Sequence, residues 1–168
     1  MAIARNVTAQ LIQVWSASDI ELKLKKALMK SLVWSVALYG SESWTLKQTD
    51  EKAITAFELW AWLRLLRISW TQRKTNAWVR RTINFQETDG LMNEIKRRKV
   101  KRYSHWKRRP DSLVLMTIEG ETQDKAKQGR RRTAWVDNIE KWTDGGLEAV
   151  RDRARRRLLT VLKRTTAC

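Results

Sequence analysis

Apolar residues recur at helical spacing along most of the chain, and polar residues fill the positions between them. Apolar side chains at every third or fourth position predict a first helix over residues 2–15. A second helix is predicted from the cap-like Ser18 and Asp19 to about Tyr39, with Gly40 ending it. The predicted buried stripe of this second helix consists of Leu24, Ala27, Leu28, Leu32 and Val36.

A third helix, over about residues 50–68, has apolar residues around nearly its whole circumference. A helix of this kind belongs in the interior of a fold, so we expect it to be the central helix. Its apolar residues are Ile54, Phe57, Leu59, Trp60, Trp62, Leu63, Leu65 and Leu66.

Two more helices are predicted before the single proline of the chain. A short helix over residues 77–83 follows Thr75, and a long helix covers about residues 91–108. The long helix ends before Pro110, because the residue preceding a proline is displaced from helical geometry. Its apolar strip consists of Met92, Ile95, Val100, Tyr103 and Trp106.

The chain after Pro110 is less regular. Residues 111–118 fit a short helix or a strand equally well, residues 119–132 form a candidate linker, and helices are predicted over about 133–142 and 146–163. One Pro and six Gly are too few for the many turns of an all-β domain. We therefore expect an all-α fold, an irregular bundle of about six to eight helices.

Apolar residues and charge are unevenly distributed between the two halves. Residues 1–86 hold seven of the ten Trp and a net charge of +7, whereas residues 87–168 hold three Trp and a net charge of +10. This predicts an apolar, Trp-rich core subdomain over 1–86 and a basic helical subdomain over 87–168, unless the two form one continuous domain. No apolar run approaches the roughly 20 residues of a membrane-spanning helix, so no membrane partner is expected.

Charge is the strongest indication of function. Thirty-five Lys and Arg against 18 Asp and Glu give a net charge of +17, which is typical of a protein that binds a polyanion. The basic residues concentrate within residues 96–109, 125–132 and 151–157, with no acidic residue between 95 and 110. Phosphates would relieve their mutual repulsion, with counterion release as the source of affinity. The alternative is a solvated helix face or a nuclear-import segment.

We expect sequence-independent binding of RNA, DNA or their hybrid, by side chains that position the phosphate backbone rather than contact the bases. Residues 130–132 follow Gly129, where a backbone can approach closely, and precede a predicted helix start with free N–H groups. The predicted binding residues are Arg97, Arg98, Lys101, Arg102, Arg108, Arg130, Arg131 and Arg132.

The tryptophans have two possible roles. Trp34, Trp60 and Trp62 lie within apolar stripes, so packing in the core is expected for them. Four other tryptophans lie beside Lys or Arg in the sequence. There an indole either stacks on a nucleic-acid base or pairs with a cation of the protein itself. These are Trp70, Trp78, Trp106 and Trp142.

Catalytic groups are scarce. One His and one Cys cannot form a Cys/His zinc site, a disulfide or a Cys–His pair. His105 is expected to be a packing residue, and ion pairing with Lys141 or a nearby Arg is expected for Asp137. We therefore expect no enzymatic activity of the chain by itself, no metal and no cofactor. The lone Cys168 fits a reducing, intracellular location, nuclear or cytoplasmic.

Several segments resemble the non-LTR (LINE-type) retrotransposon reverse transcriptases, in the region after the catalytic palm. They are residues 38–46 (LYGSESWTL), 56–60 (AFELW), 65–71 (LLRISWT), 95–105 (IKRRK to the His) and 129–143 (GRRRTAW to WT). The resemblance implies a helical thumb and C-terminal extension that grips a template–primer duplex. The catalytic aspartates of that family have no counterpart here, which implies a fragment without polymerase activity.

One departure from the family pattern and two alternatives remain. The family has a glycine before the histidine, and Ser104 stands there in this chain. One alternative is an accessory module that docks on a reverse transcriptase core in trans through the helices predicted over 19–39 and 50–68. The other is a degenerate element product with no selected role.

Overall fold

The structure is a computed structural model that describes residues 1–107, 113–119 and 133–143, and regular structure in these ranges is entirely helical. The predicted all-α fold is confirmed, and residues 113–119 adopt the helical alternative. The predicted linker 119–132 and the predicted helix 146–163 lie outside the described residues, apart from Glu119. The described part holds eight α-helices: α1 (Ala2–Gln10), α2 (Ile12–Ser16), α3 (Leu22–Leu28, continued by a π-helical Met29–Trp34 and by Ser35–Ala37), α4 (Gln48–Leu65), α5 (Asn76–Thr82), α6 (Leu91–Trp106), α7 (Leu113–Glu119) and α8 (Trp135–Trp142).

The chain forms two compact units. The first unit contains Met1–Tyr39 and Gln48–Glu94, and the second contains Gly40–Lys47 and Ile95–Cys168. None of the helices in the described ranges has both the length and the apolar character needed to cross a bilayer.

Aromatic packing between α3 and α4 forms the core of the first unit. Trp34 of α3 meets Trp62 edge-on, with ring centroids 5.2 Å apart, and lies 6.3 Å from the ring of Phe57. Trp15 of α2 is also buried. The predicted Trp-rich core is present. The eight apolar residues predicted to surround the central helix are all buried or half-buried, seven of them in α4 and Leu66 directly after it.

The predicted buried stripe of α3 is wrong. Leu24, Leu32 and Val36 are exposed, whereas Met29 and Val33 are completely buried. Both rows of α3 are apolar at a spacing of four residues, so periodicity alone could not choose between them. Packing of the π-helical turn against α1 and of Trp34 against α4 selects the second row.

Two lysines of α3 connect it to the ends of α2 and α5. Lys25 Nζ donates to the carbonyl oxygens of Trp15 and Ala17 at the end of α2, at 2.9 and 2.7 Å. Lys26 Nζ donates to the Ile83 carbonyl at the end of α5, at 2.6 Å. These bonds satisfy carbonyls that a helix end leaves without intrahelical partners.

Local sequence determines several helix ends. Gly40 has a φ of +64°, a left-handed conformation that glycine adopts readily, and it follows the end of α3 as predicted. The Thr75 side chain accepts a hydrogen bond from the Trp78 N–H at the start of α5. The single helix predicted over 2–15 is instead interrupted at Leu11, where ψ is +13°.

A buried carboxylate caps the start of α6. Glu58 of α4 accepts a hydrogen bond from the Leu91 N–H at 3.0 Å. Burial raises the pKa of Glu58, and the bond from Leu91 acts in the opposite direction. The cap places a carboxyl group at the positive end of the helix dipole.

Candidate nucleic-acid interface

Helix α6 has one basic face and one buried face. Arg97 and Lys101 lie four residues apart on one row, and Arg98 and Arg102 lie on the adjacent row, so all four share a face. Arg97, Lys101 and Arg102 are exposed and Arg98 is half-buried. The opposite side of the helix consists of Ile95, Lys99, Val100 and Tyr103, all buried.

The buried face of α6 packs on α7 and α8. Val100 and Tyr103 form an apolar cluster with Leu115 and Ile139. Trp106 and Trp135 pack against this cluster, with their ring centroids 5.5 Å apart. Burial on this scale contributes about 1.5–3 kcal/mol for each large side chain, which fixes the basic face in place.

Lys99 is completely buried, although it belongs to the basic segment from which phosphate contacts were expected. Its Nζ lies 4.6 Å from the ring centroid of Trp135 and 5.2 Å from that of Trp142. It donates hydrogen bonds to the carbonyl oxygens of Trp44 (2.8 Å) and Trp135 (3.4 Å) and to the side-chain oxygen of Asn138 (2.9 Å). Lys99 therefore connects segments of the second unit through its hydrogen bonds and is not available to a phosphate.

Burial lowers the pKa of Lys99 to about 8. Below that pH the group keeps its proton, and the ammonium has the three donors that its three acceptors require. The indole faces favour the charged form, because a ring quadrupole attracts a cation. Desolvation acts against these contacts and explains the direction of the shift.

The segment 42–47 is fixed by side chains of α6 and α8. Asn138 accepts from the Leu46 N–H at 2.9 Å and donates to the Leu46 carbonyl at 2.7 Å. Trp135 Nε1 donates to the Glu42 carbonyl at 2.9 Å. Three of the segments that carry the family resemblance, 38–46, 95–105 and 129–143, therefore meet around Lys99. The residues that they contribute there form hydrogen bonds and packing contacts within the protein.

Arg102 of the basic face has an acidic partner. Its guanidinium lies 2.9 Å from the carboxylate of Glu42, and both side chains are partly exposed. The pKa of Glu42 is lowered, first by a hydrogen bond from its own backbone and then by Arg102. Exposed ion pairs of this kind contribute about 0–1 kcal/mol, so a phosphate can compete for the guanidinium.

Half of the predicted binding residues lie outside the described part of the chain. These are Arg108, Arg130, Arg131 and Arg132. The other four lie on α6, the helix on which the sequence placed them, and they share one face of it.

The tryptophans beside basic residues differ in exposure. Trp142 is buried under Lys96 and Lys99, so it cannot stack on a base. Trp106 is half-buried, with Arg102 over its ring at 5.9 Å. Trp78 is exposed, with Lys74 Nζ 5.0 Å from its ring centroid. The side chain of Trp70 lies outside the described structure.

The candidate catalytic positions show no assembled site. His105 is exposed, so the expectation that it packs is wrong. Ser104 is buried, and its hydroxyl has no hydrogen-bond partner among the described residues. Asp137 accepts from the Ala134 N–H at 2.7 Å, at the start of α8. Within the described ranges, no three His, Cys, Asp or Glu side chains cluster where they could hold a metal ion.

Similarity to known proteins does not decide the function of this chain. The resemblance to LINE-type reverse transcriptases stays a prediction drawn from sequence segments. No protein-family model, no curated protein and no solved structure matches the chain.

Proposed function

We propose that this chain binds the phosphate backbone of RNA, DNA or their hybrid without recognising sequence. The observation that carries the proposal is the placement of Arg97, Arg98, Lys101 and Arg102 on one face of α6. Their helix is anchored by a buried opposite face. The resemblance to the thumb region of LINE-type reverse transcriptases supports the same function.

The side chains on this face favour phosphate contact over base recognition. Arginine forms two parallel hydrogen bonds to a phosphate, and each neutralised phosphate releases counterions. The net charge of +17 attracts a polyanion from a distance. The chain is therefore expected to position a strand or duplex for another protein.

Fluorescence anisotropy across a salt series tests this function. The full chain is titrated into labelled single-stranded RNA, duplex DNA and RNA–DNA hybrid of matched sequence. Replacing Arg97, Arg98 and Lys101 by Ala should flatten the slope of log K against log salt by up to about three units. The same loss is expected for Arg130–Arg132 replaced by Ala. Losses that depend on base sequence would contradict the proposal.

A control variant with the same net charge separates a local interface from general attraction. Lys23, Lys52 and Arg81 are exposed residues of the first unit. Replacing these three by Ala lowers the net charge equally. If that variant loses as much slope as the α6 variant, the basic face of α6 has no special role.

An exposed apolar row favours a second candidate function, docking on a reverse transcriptase core supplied in trans. Leu24, Leu28, Leu32 and Val36 follow one another at four-residue spacing along α3. Leu24, Leu32 and Val36 are exposed by 53%, 42% and 37%. Contiguous exposed apolar surface is typical of an interaction site, and the resemblance indicates the kind of partner.

Sedimentation velocity at increasing concentration tests the docking function. Without its partner, the wild-type chain should self-associate through this row, and Leu24→Lys with Leu32→Lys should make it monomeric. Gln10→Lys with Gln13→Lys adds the same charge at exposed polar positions and should leave the association unchanged. A wild-type chain that stays monomeric at every concentration would exclude the docking function.

A further inference from the structure

A groove of about 480 Å³ in the first unit combines a basic side with an apolar side. Arg64, Arg67, Arg73 and Lys74 line it, and no carboxylate lies among its described lining residues. Ile12 and Leu63 contribute to its apolar wall. Its volume lies in the range of roughly 300–1,000 Å³ that small-molecule sites occupy.

The backbone holds two of these arginines in a conformation that arginine rarely adopts. Arg67 and Arg73 have φ values of +56° and +45°. At Arg67 the chain ends α4 with a Schellman turn, in which the Ile68 N–H donates to the Leu63 carbonyl and the Arg67 N–H to the Arg64 carbonyl. Glycine is the usual residue at this position. Backbone strain of this kind is typical of functional sites.

The Trp60 indole fixes the position of a third arginine. The guanidinium carbons of Arg64 and Arg5 lie 5.5 and 5.6 Å from its ring centroid. Phe57 stacks on the same indole, with centroids 6.0 Å apart. Arg64 is thus held at the groove by packing, so less side-chain entropy is lost when a ligand binds.

We propose that this groove binds a nucleoside phosphate, either free or as the phosphorylated end of a strand. The arginines and Lys74 contact the phosphate oxygens, and the apolar wall contacts the base. Lys74 also lies against the exposed Trp78, which offers a further ring surface beside the groove. The proposal goes beyond backbone binding by α6, and it holds or fails independently of that function.

Isothermal titration of the full chain with adenosine 5′-triphosphate, inorganic triphosphate and adenosine tests both halves of the site. The nucleotide should bind tightest, and adenosine should bind at least about tenfold more weakly, because charged hydrogen bonds dominate. Triphosphate that binds as tightly as the nucleotide would overturn the role of the apolar wall. Adenosine that binds as tightly would overturn the role of the arginines.

Arg67→Gly is the decisive variant, because glycine suits the left-handed backbone and the fold does not suffer. It should weaken nucleotide binding about tenfold. Arg81→Ala removes one charge outside the groove and should leave the affinity unchanged. Unchanged affinity in Arg67→Gly, or an equal loss in Arg81→Ala, would overturn the proposal.

Competition with oligonucleotides distinguishes the two sources of the phosphate. A 5′-phosphorylated strand that displaces the nucleotide better than its 5′-hydroxyl counterpart identifies a strand end as the ligand. Failure of both strands to displace it identifies the free nucleotide, whereas equal displacement by both would overturn the proposal, because the groove would then bind internal backbone phosphates. The variant lacking Arg97, Arg98 and Lys101 should bind the nucleotide normally, which separates this site from the α6 face.

Discussion

The two units use the same pair of residue types, a tryptophan and a cation, in opposite ways. In the first unit, Arg5 and Arg64 lie over Trp60 and both arginines remain exposed. In the second unit, Lys99 lies against Trp135 and Trp142 and is completely buried.

This difference decides what each cation can do. An exposed cation over an indole contributes about 0.5–1 kcal/mol and keeps its charge accessible to a ligand. A buried charge must have its hydrogen bonds satisfied by the protein, or it destabilises the fold by several kcal/mol. A basic residue beside tryptophans is therefore a binding residue in one environment and an architectural residue in the other.

The largest expected effect is the loss of the polar network around Lys99. Asn138→Ala leaves the backbone N–H and carbonyl of Leu46 without partners and removes one acceptor of Lys99. The free energy of unfolding should fall by about 3 kcal/mol, measured by urea denaturation. Asn6→Ala, at an exposed position of α1, should change it by less than about 0.5 kcal/mol. Equal effects in the two variants would contradict the architectural role.

The next largest effect is a pH dependence of the free energy of unfolding, which arises from the burial of Lys99. The pKa of Lys99 is about 8 in the folded chain and has its ordinary value of 10.5 in the unfolded chain. Between these values the unfolded state binds the additional proton, so stability should increase with pH, by on the order of 2 kcal/mol. Below about pH 8 both states hold the proton, and the contribution is constant. Lys99→Met should remove this increase in urea titrations from pH 7.5 to 10.5, and its persistence would assign the increase to other groups.

Replacing an exposed arginine of the first unit should raise the free energy of unfolding, which is the opposite of the effect of Asn138→Ala. Arg67→Gly removes a left-handed arginine and should raise the free energy of unfolding by about 1 kcal/mol. Asn84 occupies the equivalent position after α5, with a φ of +48°. Asn84→Gly should gain only a few tenths of a kcal/mol, because asparagine tolerates this conformation. Thermal unfolding measures both, and a destabilised Arg67→Gly would refute the strain argument.

The smallest effect is expected at Arg5. Arg5→Ala removes one exposed contact with Trp60 and should lower the free energy of unfolding by about 0.5 kcal/mol. The same urea denaturation measures it. A loss above about 2 kcal/mol would mean that this cation is as structural as Lys99.

The sequence predicted much of the helical framework and the buried strip of the helix that carries the candidate interface. Spacing predicted Ile95, Val100 and Tyr103 in the apolar strip of α6, and the structure buries all three. The helix stop at Gly40 also followed from local chemistry. These features depend on residues within one or two helical turns of each other.

Other features could not be predicted from sequence patterns. Lys99 belongs to the basic segment 96–109, and no sequence pattern distinguishes it from its neighbours, because its burial requires Trp44, Trp135 and Asn138 to surround it. The choice between the two apolar rows of α3 depended on where α1 and α4 pack. The groove required Ile12, the end of α4 and Lys74 to come together.

The sequence by itself determined an all-helical chain with a strongly basic character and the apolar strip of α6. Helical periodicity and net charge are local or summed properties, so they can be derived from residue order and composition. Only the tertiary structure decided which Lys and Arg side chains are buried and which remain exposed to a ligand. The bond between Leu46 and Asn138 joins residues 92 positions apart, and such a contact depends on which segments meet in space.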